Sequence, residues 1–336
     1  MVEAYLTGIF PRSQTRISAG REYTKGNCTE AELREIEQRD AFSIVQAQQE
    51  AGLNYIQDPL FWPDLLFPFS QEIRGIKPRK SLKEEVDMDR WFDTNKFFPR
   101  LEIQGKLKAE EPFLTTYMHL DALGENGKVV LPSPFLLASL SNDRNKTYAS
   151  LEVLVEDFAA ILAQEAEFFA GHGIRQIQFT DPCLVYEHPG KEIFPIARRG
   201  LERVVRNLPT SVQTILFTYF GNAAPYFAEL FSFPVDGIGF DAFAIDAKQA
   251  EELQETAGKG VVFGAVHAQH AFSLPKNPEE PEMVWQKMQP FLEKLKPLWF
   301  AIAPTGELTE LSYSIALEKI RRLGAIKRYV QDAANV

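Results

Sequence analysis

The chain has 336 residues, 45% of them hydrophobic and 24% charged, and a formal net charge of −10. That hydrophobic share is enough for a large core, while the acidic balance argues against an extended nucleic-acid surface, which needs a basic face. Cys28 and Cys183 are the only cysteines, which excludes a disulfide framework and an all-cysteine zinc centre. The N-terminus lacks a signal layout and no apolar run reaches about 18 residues, so a cytoplasmic protein without a membrane partner is expected.

In chain order, short β-rich runs predict strands at residues 4–10, 53–57, 128–131, 173–179, 212–218, 235–241, 260–266 and 298–303. Helix-like segments fall at 30–51, 62–73, 148–172, 194–206, 223–231, 247–257, 283–295 and 312–322. The strands of the second half are nearly all apolar, as expected where helices cover both faces of a parallel sheet. This alternation predicts a single (β/α)8 TIM barrel over residues 1–336. A doubly wound open sheet is the competing architecture. Such a barrel typically needs about 250 residues, and the surplus lies at 75–127, a Pro- and Lys-rich insertion beside the mouth. Within it, Met88-Asp89-Arg90-Trp91-Phe92-Asp93-Thr94-Asn95 joins two aromatics that need a buried seat to three short polar side chains. Trp91 is expected to anchor this loop, with Asp93 and Asn95 facing the cleft.

Chemistry in a barrel of this kind gathers at the C-terminal strand ends. The first strand is followed by Arg12, Arg16, Arg21 and Lys25, the fourth by Thr180-Asp181-Pro182, and the fifth by Thr218-Tyr219-Phe220-Gly221-Asn222. The sixth ends at Asp241, the seventh at His267-Ala268-Gln269-His270, and the eighth at Pro304-Thr305-Gly306-Glu307. Arginine forks suit an oxyanion, although a solvated loop pairing with Glu30 and Glu32 explains the same cluster. Asp181 either accepts from a substrate ammonium or ring N–H, or simply closes an Asp-Pro turn. The two histidines and Asp241 could hold a divalent ion, but a loop whose histidines hydrogen-bond locally is preferred, and His267 or His270 serves better as an acid/base.

Several phrases then resemble, in matching order, the cobalamin-independent methionine synthases. These are GIFPRSQTR and the following long helix, MDRWFDTNKFF, IQFTDPCLV, ILFTYFGN and FPVDGIGFD. The likeness is sharper to that family's N-terminal barrel than to its zinc-bearing C-terminal one. The catalytic barrel holds zinc through a His-x-Cys pair, a Glu and a Cys at strand ends, where this chain has Thr218-Tyr219-Phe220, Asp241 and Gly306. Zinc is therefore not expected, nor any tightly bound cofactor. The resemblance implies methyltetrahydrofolate with its polyglutamate tail as a ligand, gripped by Arg12, Arg16 and Arg21, and a homocysteine- or methionine-like substrate. Asp181, Asp241, His267 and His270 are the catalytic candidates from their strand-end positions, with Asp93, Asn95, Thr180, Tyr219 and Asn222 expected to bind substrate. Thr180 replaces the first acid of the family's Asp-Glu-Pro phrase, leaving Asp181 in the second position. The alternative is a non-catalytic, folate-gripping partner of a separate zinc-bearing chain. A uroporphyrinogen decarboxylase-like enzyme is a more distant possibility.

Overall fold

The apolar runs form a parallel sheet. The computed structural model describes residues 2–79, 88–92, 94–256, 258–270 and 279–334. Its main strands are β1 (Val2–Ala4), β2 (Ile56–Gln57), β3 (Gly127–Pro132), β4 (Gln176–Thr180), β5 (Gln213–Phe217), β6 (Gly237–Asp241), β7 (Gly260–Val266) and β8 (Phe300–Pro304). They pair in the order β1-β8-β7-β6-β5-β4-β3-β2, every neighbour parallel. Crossover helices such as α1 (Leu151–Gly171) and α2 (Ile193–Val205) cover the outer face, so β3, β4 and β7 are buried along their whole length.

On the inner face, Tyr5, Ile215, Phe217, Tyr219, Val262, Ala301 and Ala303 form an apolar cluster separate from the core beneath the helices. The sheet curls far enough for Lys128 Nζ on β3 to lie 3.7 Å from the centre of the Tyr5 ring, which follows β1. At the two sheet ends, Ala4 N–H donates to Asn54 Oδ1 at 3.0 Å and Asn54 N–H to Ala4 O at 2.9 Å. The result is an α/β fold with an eight-stranded parallel sheet, consistent with a TIM-like barrel.

Some elements differ from expectation for local reasons. The first strand is Val2–Ala4 and does not reach residue 10. Its last register pair is Ala4 with Ile302, and further on Gly8, at φ +151°, and Pro11 depart from strand geometry. The segment expected as one cationic loop contains a helix, Gln14–Thr24, capped by the Ser13 side chain accepting from Arg16 N–H. No residue of that helix is buried, so no apolar stripe announces it. The helix expected at 62–73 contracts to Phe67–Glu72 because Pro63 and Pro68 delay its start. In place of the helix at 223–231 stand a 3-10 turn, Ala224–Tyr226, and one helical turn, Phe227–Leu230.

The 75–127 stretch has structure of its own. Leu101–Lys108 pairs antiparallel with Arg74–Ile76 and parallel with Ser141–Asn142. Met88–Arg90 and Phe97–Pro99 make a hairpin.

Candidate active site at the strand ends

Register brings the strand-end residues together. Pro132, Thr180 and Phe217 are in line across β3, β4 and β5, so Ser133, Asp181 and Thr218 emerge side by side. Ser133 Oγ donates to Asp181 Oδ2, and Cys183 N–H donates to Asp181 Oδ1 at 3.1 Å. Burial pushes the Asp181 carboxyl up to about 7 despite both bonds. Thr180 and Tyr219 are equally buried, and the Tyr219 hydroxyl interacts with the side chains of both Thr180 and Glu307.

Glu307, just past β8, completes this group. Gly306 brings its backbone so close to Tyr219 that a Cβ there would sit 3.1 Å from the ring. Gly8 does the same to Glu307: a Cβ would lie 2.7 Å from Glu307 Cγ, and φ +151° already favours glycine. Glu307 is 7% exposed and accepts from the Tyr219 hydroxyl. Desolvation raises its carboxyl to about 8; Lys96 opposes the rise, while Asp64 and Glu310 add to it.

Above Glu307 opens a cleft of about 760 Å³, lined by the segments after β1, β2 and β8 and by the hairpin. Arg12, Asp64, Lys96 and Glu307 supply its charges; Phe10, Trp62, Trp91, Phe98 and Tyr313 supply its walls. Arg12 Nη2 is steadied by Phe61 O at 2.9 Å, and Asp64 by Arg79 at 2.8 Å. Lys96 Nζ donates to Thr309 Oγ1 and lies 3.9 Å from Glu310 Oε1. Trp91 is buried against Phe92 and Phe98, and its indole N–H has no partner. Phe92, at φ +49°, stacks on Phe220, at φ +64°, tying the hairpin turn to the segment after β5.

The remaining sequence candidates are placed differently. Arg16 leaves the mouth, pairs with Glu37 at 2.6 Å, and lines a neighbouring flank cleft of about 1040 Å³ that also touches Arg12 and Trp62. Arg21 is exposed in the last turn of the Gln14–Thr24 helix and lines neither cleft. Of the three arginines, Arg12 lines both clefts, Arg16 lines the flank cleft beside it, and only Arg21 stands apart at the surface. Asn95 is exposed, with its backbone N–H 3.4 Å from Glu310 Oε2, and is not part of the cleft wall. Asp93 lies outside the described residues. Asn222 is used locally: Oδ1 accepts from Ala224 N–H at 2.9 Å and Nδ2 donates to Gln249 at 2.9 Å.

Asp241 Oδ1 accepts from Phe243 N–H at 2.8 Å, and burial raises its carboxyl to about 6. His267 stacks on Phe243 with centroids 4.1 Å apart, and its ring is 5.7 Å from that of His270. Burial, then His270 and Lys319, lower His267 to about 4, so its imidazole is neutral at pH 7. Among the described residues, no three His, Cys, Asp or Glu side chains gather as a metal-binding set. The donors present do not fit a thiolate–zinc centre: Cys28 is distant in sequence from every strand end, and burial raises the Cys183 thiol. Among the described residues, no helix is long and apolar enough to cross a membrane.

Sequence reasoning put Glu307 on the rim without giving it a role and passed over Lys96, Asp64 and Trp62. Glu307 had a positional signal, the eighth strand end. The other three are recruited by loop geometry and carry no signal of their own.

Residues 71–273 match the model of the family described as cobalamin-independent synthase, N-terminal domain. The 5-methyltetrahydropteroyltriglutamate–homocysteine methyltransferase of Bifidobacterium adolescentis is 28% identical over 252 residues, covering 65% of this chain and 32% of that protein. Its counterpart from Bifidobacterium animalis subsp. lactis is 27% identical over 173 residues, covering 50% of this chain and 22% of that protein. The chain thus spans about a third or less of the length of these curated relatives. Among solved structures, a B12-independent methionine synthase from Shewanella sp. W3-18-1, in complex with selenomethionine, has a TM-score of 0.74 at 18% identity and covers 92% of each chain. A methyltransferase from Methanosarcina mazei has a TM-score of 0.59 at 14% identity, covering 100% of this chain and 95% of that one. At such identities the likeness speaks for the fold.

Proposed function

We propose a function from one premise: the chain belongs to the family of cobalamin-independent synthase N-terminal domains. On that premise, its eight strands close into one (β/α)8 barrel over residues 1–336, with 75–127 as an insertion beside the mouth. The chain is a methionine-synthase-like member of the methyltransferase family. It binds a small anionic methyl-transfer ligand, of the folate, homocysteine or methionine type, in the mouth cleft.

The observation that carries this reading is the meeting of Arg12, Lys96 and the buried Glu307 between the aromatic walls of one cleft. The two cations suit a carboxylate, the rings suit a planar or thioether portion, and the buried acid suits a proton-bearing group. Relatives named as homocysteine methyltransferases, and a similar fold in complex with selenomethionine, support the same ligand class. The family zinc has no part in this reading, because Thr218 and Phe220, Asp241 and Gly306 stand where the resemblance would put the ligands.

A thermal-shift series with folates, homocysteine and methionine tests the proposal. A true ligand at 100-fold excess over its Kd adds about 2.7 kcal/mol of apparent stability. Failure of every member of the series to move the midpoint would overturn the reading.

A second reading rests on the match to an N-terminal domain and on coverage of only 22% to 32% of the curated relatives. In it, the chain is a non-catalytic partner barrel for a separate zinc-bearing methionine synthase core. Co-elution with such a core, together with no methionine formed by the chain alone, would favour it.

A further inference from the structure

We propose that Glu307 recognises the ligand of the mouth cleft as a neutral carboxylic acid, donating its own proton to the ligand's carboxylate. The inference rests on the reading above that the ligand is a small anion of the methyl-transfer class. It deepens that reading by assigning the shared proton to the protein and the acceptor to the ligand.

Four features of the cleft lead to a neutral Glu307. Its side chain lines the cleft yet is buried, and Gly8 comes so near that a Cβ there would sit 2.7 Å from Glu307 Cγ. That seat leaves an ionised carboxylate little water. Tyr219 bridges to it: Thr180 donates to the Tyr219 oxygen and the Tyr219 hydroxyl donates to Glu307. One carboxyl oxygen is thereby engaged by the fold, and the O–H of the other is left for a ligand. Asp64 and Glu310 crowd the same spot, so ionisation would add a third negative charge. Lys96, the cation that acts on Glu307, has contacts of its own, donating to Thr309 Oγ1 and lying 3.9 Å from Glu310 Oε1.

These groups surround the carboxyl from every side. Among the described residues, Lys96 faces it from the hairpin, Asp64 from the segment after β2, Glu310 from that after β8 and Tyr219 from that after β5. Arg12 acts on Lys96 across the cleft, and Asp181 lies behind Tyr219. The balance holds Glu307 at about 8, so its proton is in place at pH 7. An ionised Glu307 would repel an anionic ligand. The neutral acid leaves Arg12 and Lys96 to attract the anion and adds an O–H···O⁻ bond of the strong, charge-assisted kind. An ammonium has no lone pair with which to accept that proton, so the ligand's carboxylate is the end that enters.

Calorimetric titration of methionine and of methyltetrahydrofolate into the full chain, from about pH 6 to about pH 9, tests the proposal through linkage. Wild-type affinity should be level below pH 7 and fall as pH rises through about 8, by up to about tenfold per pH unit. Glu307→Gln keeps a donor that cannot ionise, so its profile should lose that fall. Asp181 and the ligand's own groups are intact in this variant. A fall of equal size in Glu307→Gln therefore belongs to them and overturns the proposal, as does a level wild-type profile. Glu307→Leu, which has no donor, should bind at least tenfold more weakly than Glu307→Gln near pH 7, and equal affinities overturn the proposal too. If the Leu variant does not fold, the two pH profiles carry the test. Each of these failures leaves the ligand class standing, whereas no binding of either ligand by wild type overturns both readings.

Discussion

On the arc of the rim made by the ends of β6 and β7, the predicted groups already have neighbours. Asp241 accepts from Phe243 N–H, His267 stacks on Phe243, and His267 N–H donates to Glu279 at 2.8 Å. On the arc made by β4, β5 and β8, Thr180, the Tyr219 hydroxyl and Glu307 are buried and interact chiefly with one another. Burial raises the Glu307 carboxyl to about 8 and the Asp181 carboxyl to about 7 on this arc, which also opens on the mouth cleft. The same residue types thus serve as scaffold on one side and as a candidate site on the other, and access to the mouth cleft, which Glu307 lines and Asp241 and His267 do not, separates the two.

The strongest way to break that comparison is to cut into the scaffold arc. Glu279 and Lys319 form an ion pair with side chains 2% and 1% exposed. Removing one member of a buried pair leaves the other charge in the interior and typically costs about 3–5 kcal/mol. Glu279→Ala is expected to lose that much in urea denaturation while ligand affinity per folded molecule stays unchanged. A variant that keeps its stability and loses ligand instead would move the site to β6 and β7.

A pH series sharpens the other arc. Asp181 titrates at about 7 in the fold against an ordinary 3.8, with burial as the main cause. The folded state holds that proton more tightly than the unfolded chain does. Its contribution to stability is therefore complete below about pH 4 and is lost as pH rises through 7, by up to about 1.4 kcal/mol per pH unit. Asp181→Asn should flatten this stretch of the stability profile. An unchanged slope would mean that Asp181 is ionised in the fold.

These two tests bear on what the sequence made legible. The strands of the second half stood out because β4 through β8 are short apolar runs between turns, and the register of their ends followed from the architecture. Asp181 and Tyr219 were readable for that reason, as residues just past a strand. The split of Arg12, Arg16 and Arg21 was not readable, because it depends on a helix with no buried residue, started by Ser13 and facing solvent. Lys96 was hidden for another reason. Its place at the mouth comes from a hairpin folding across more than two hundred positions of sequence onto Thr309, and no local pattern encodes that contact. The setting of His267 was not readable either: an imidazole titrates near neutrality in water, but burial, then His270 and Lys319, lower His267 to about 4.

Lys96 gives the next smaller effect. Its ammonium is a cation of the cleft that a small anionic ligand can reach, and its own partners, Thr309 and Glu310, are half-buried beside it. Lys96→Met should weaken an anionic ligand about tenfold, or about 1.4 kcal/mol, by calorimetric titration. The loss should shrink as salt rises. Equal weakening of neutral and anionic ligands would assign Lys96 to the shape of the hairpin and remove it from charge recognition.

The smallest effect is expected at Asn95, and it bears directly on how the hairpin motif is read. A short polar side chain at a loop tip beside the cleft looks like a ligand contact. In the fold, the exposed residue offers its backbone N–H to Glu310, and the turn is held by its neighbours: Thr94 Oγ1 donates to Trp91 O at 2.7 Å and accepts from Lys96 N–H at 3.1 Å. Asn95→Ala keeps the backbone contact and removes only an amide facing water, so both stability and ligand affinity should move by less than about 0.5 kcal/mol. Thr94→Ala is the contrasting variant, because it strips the hydroxyl that fixes Trp91 and Lys96 relative to each other. Paired titrations of the two variants tell the cases apart. A loss of affinity confined to Asn95→Ala would place that amide on the ligand, whereas a loss confined to Thr94→Ala would make the turn a support for Trp91 and Lys96.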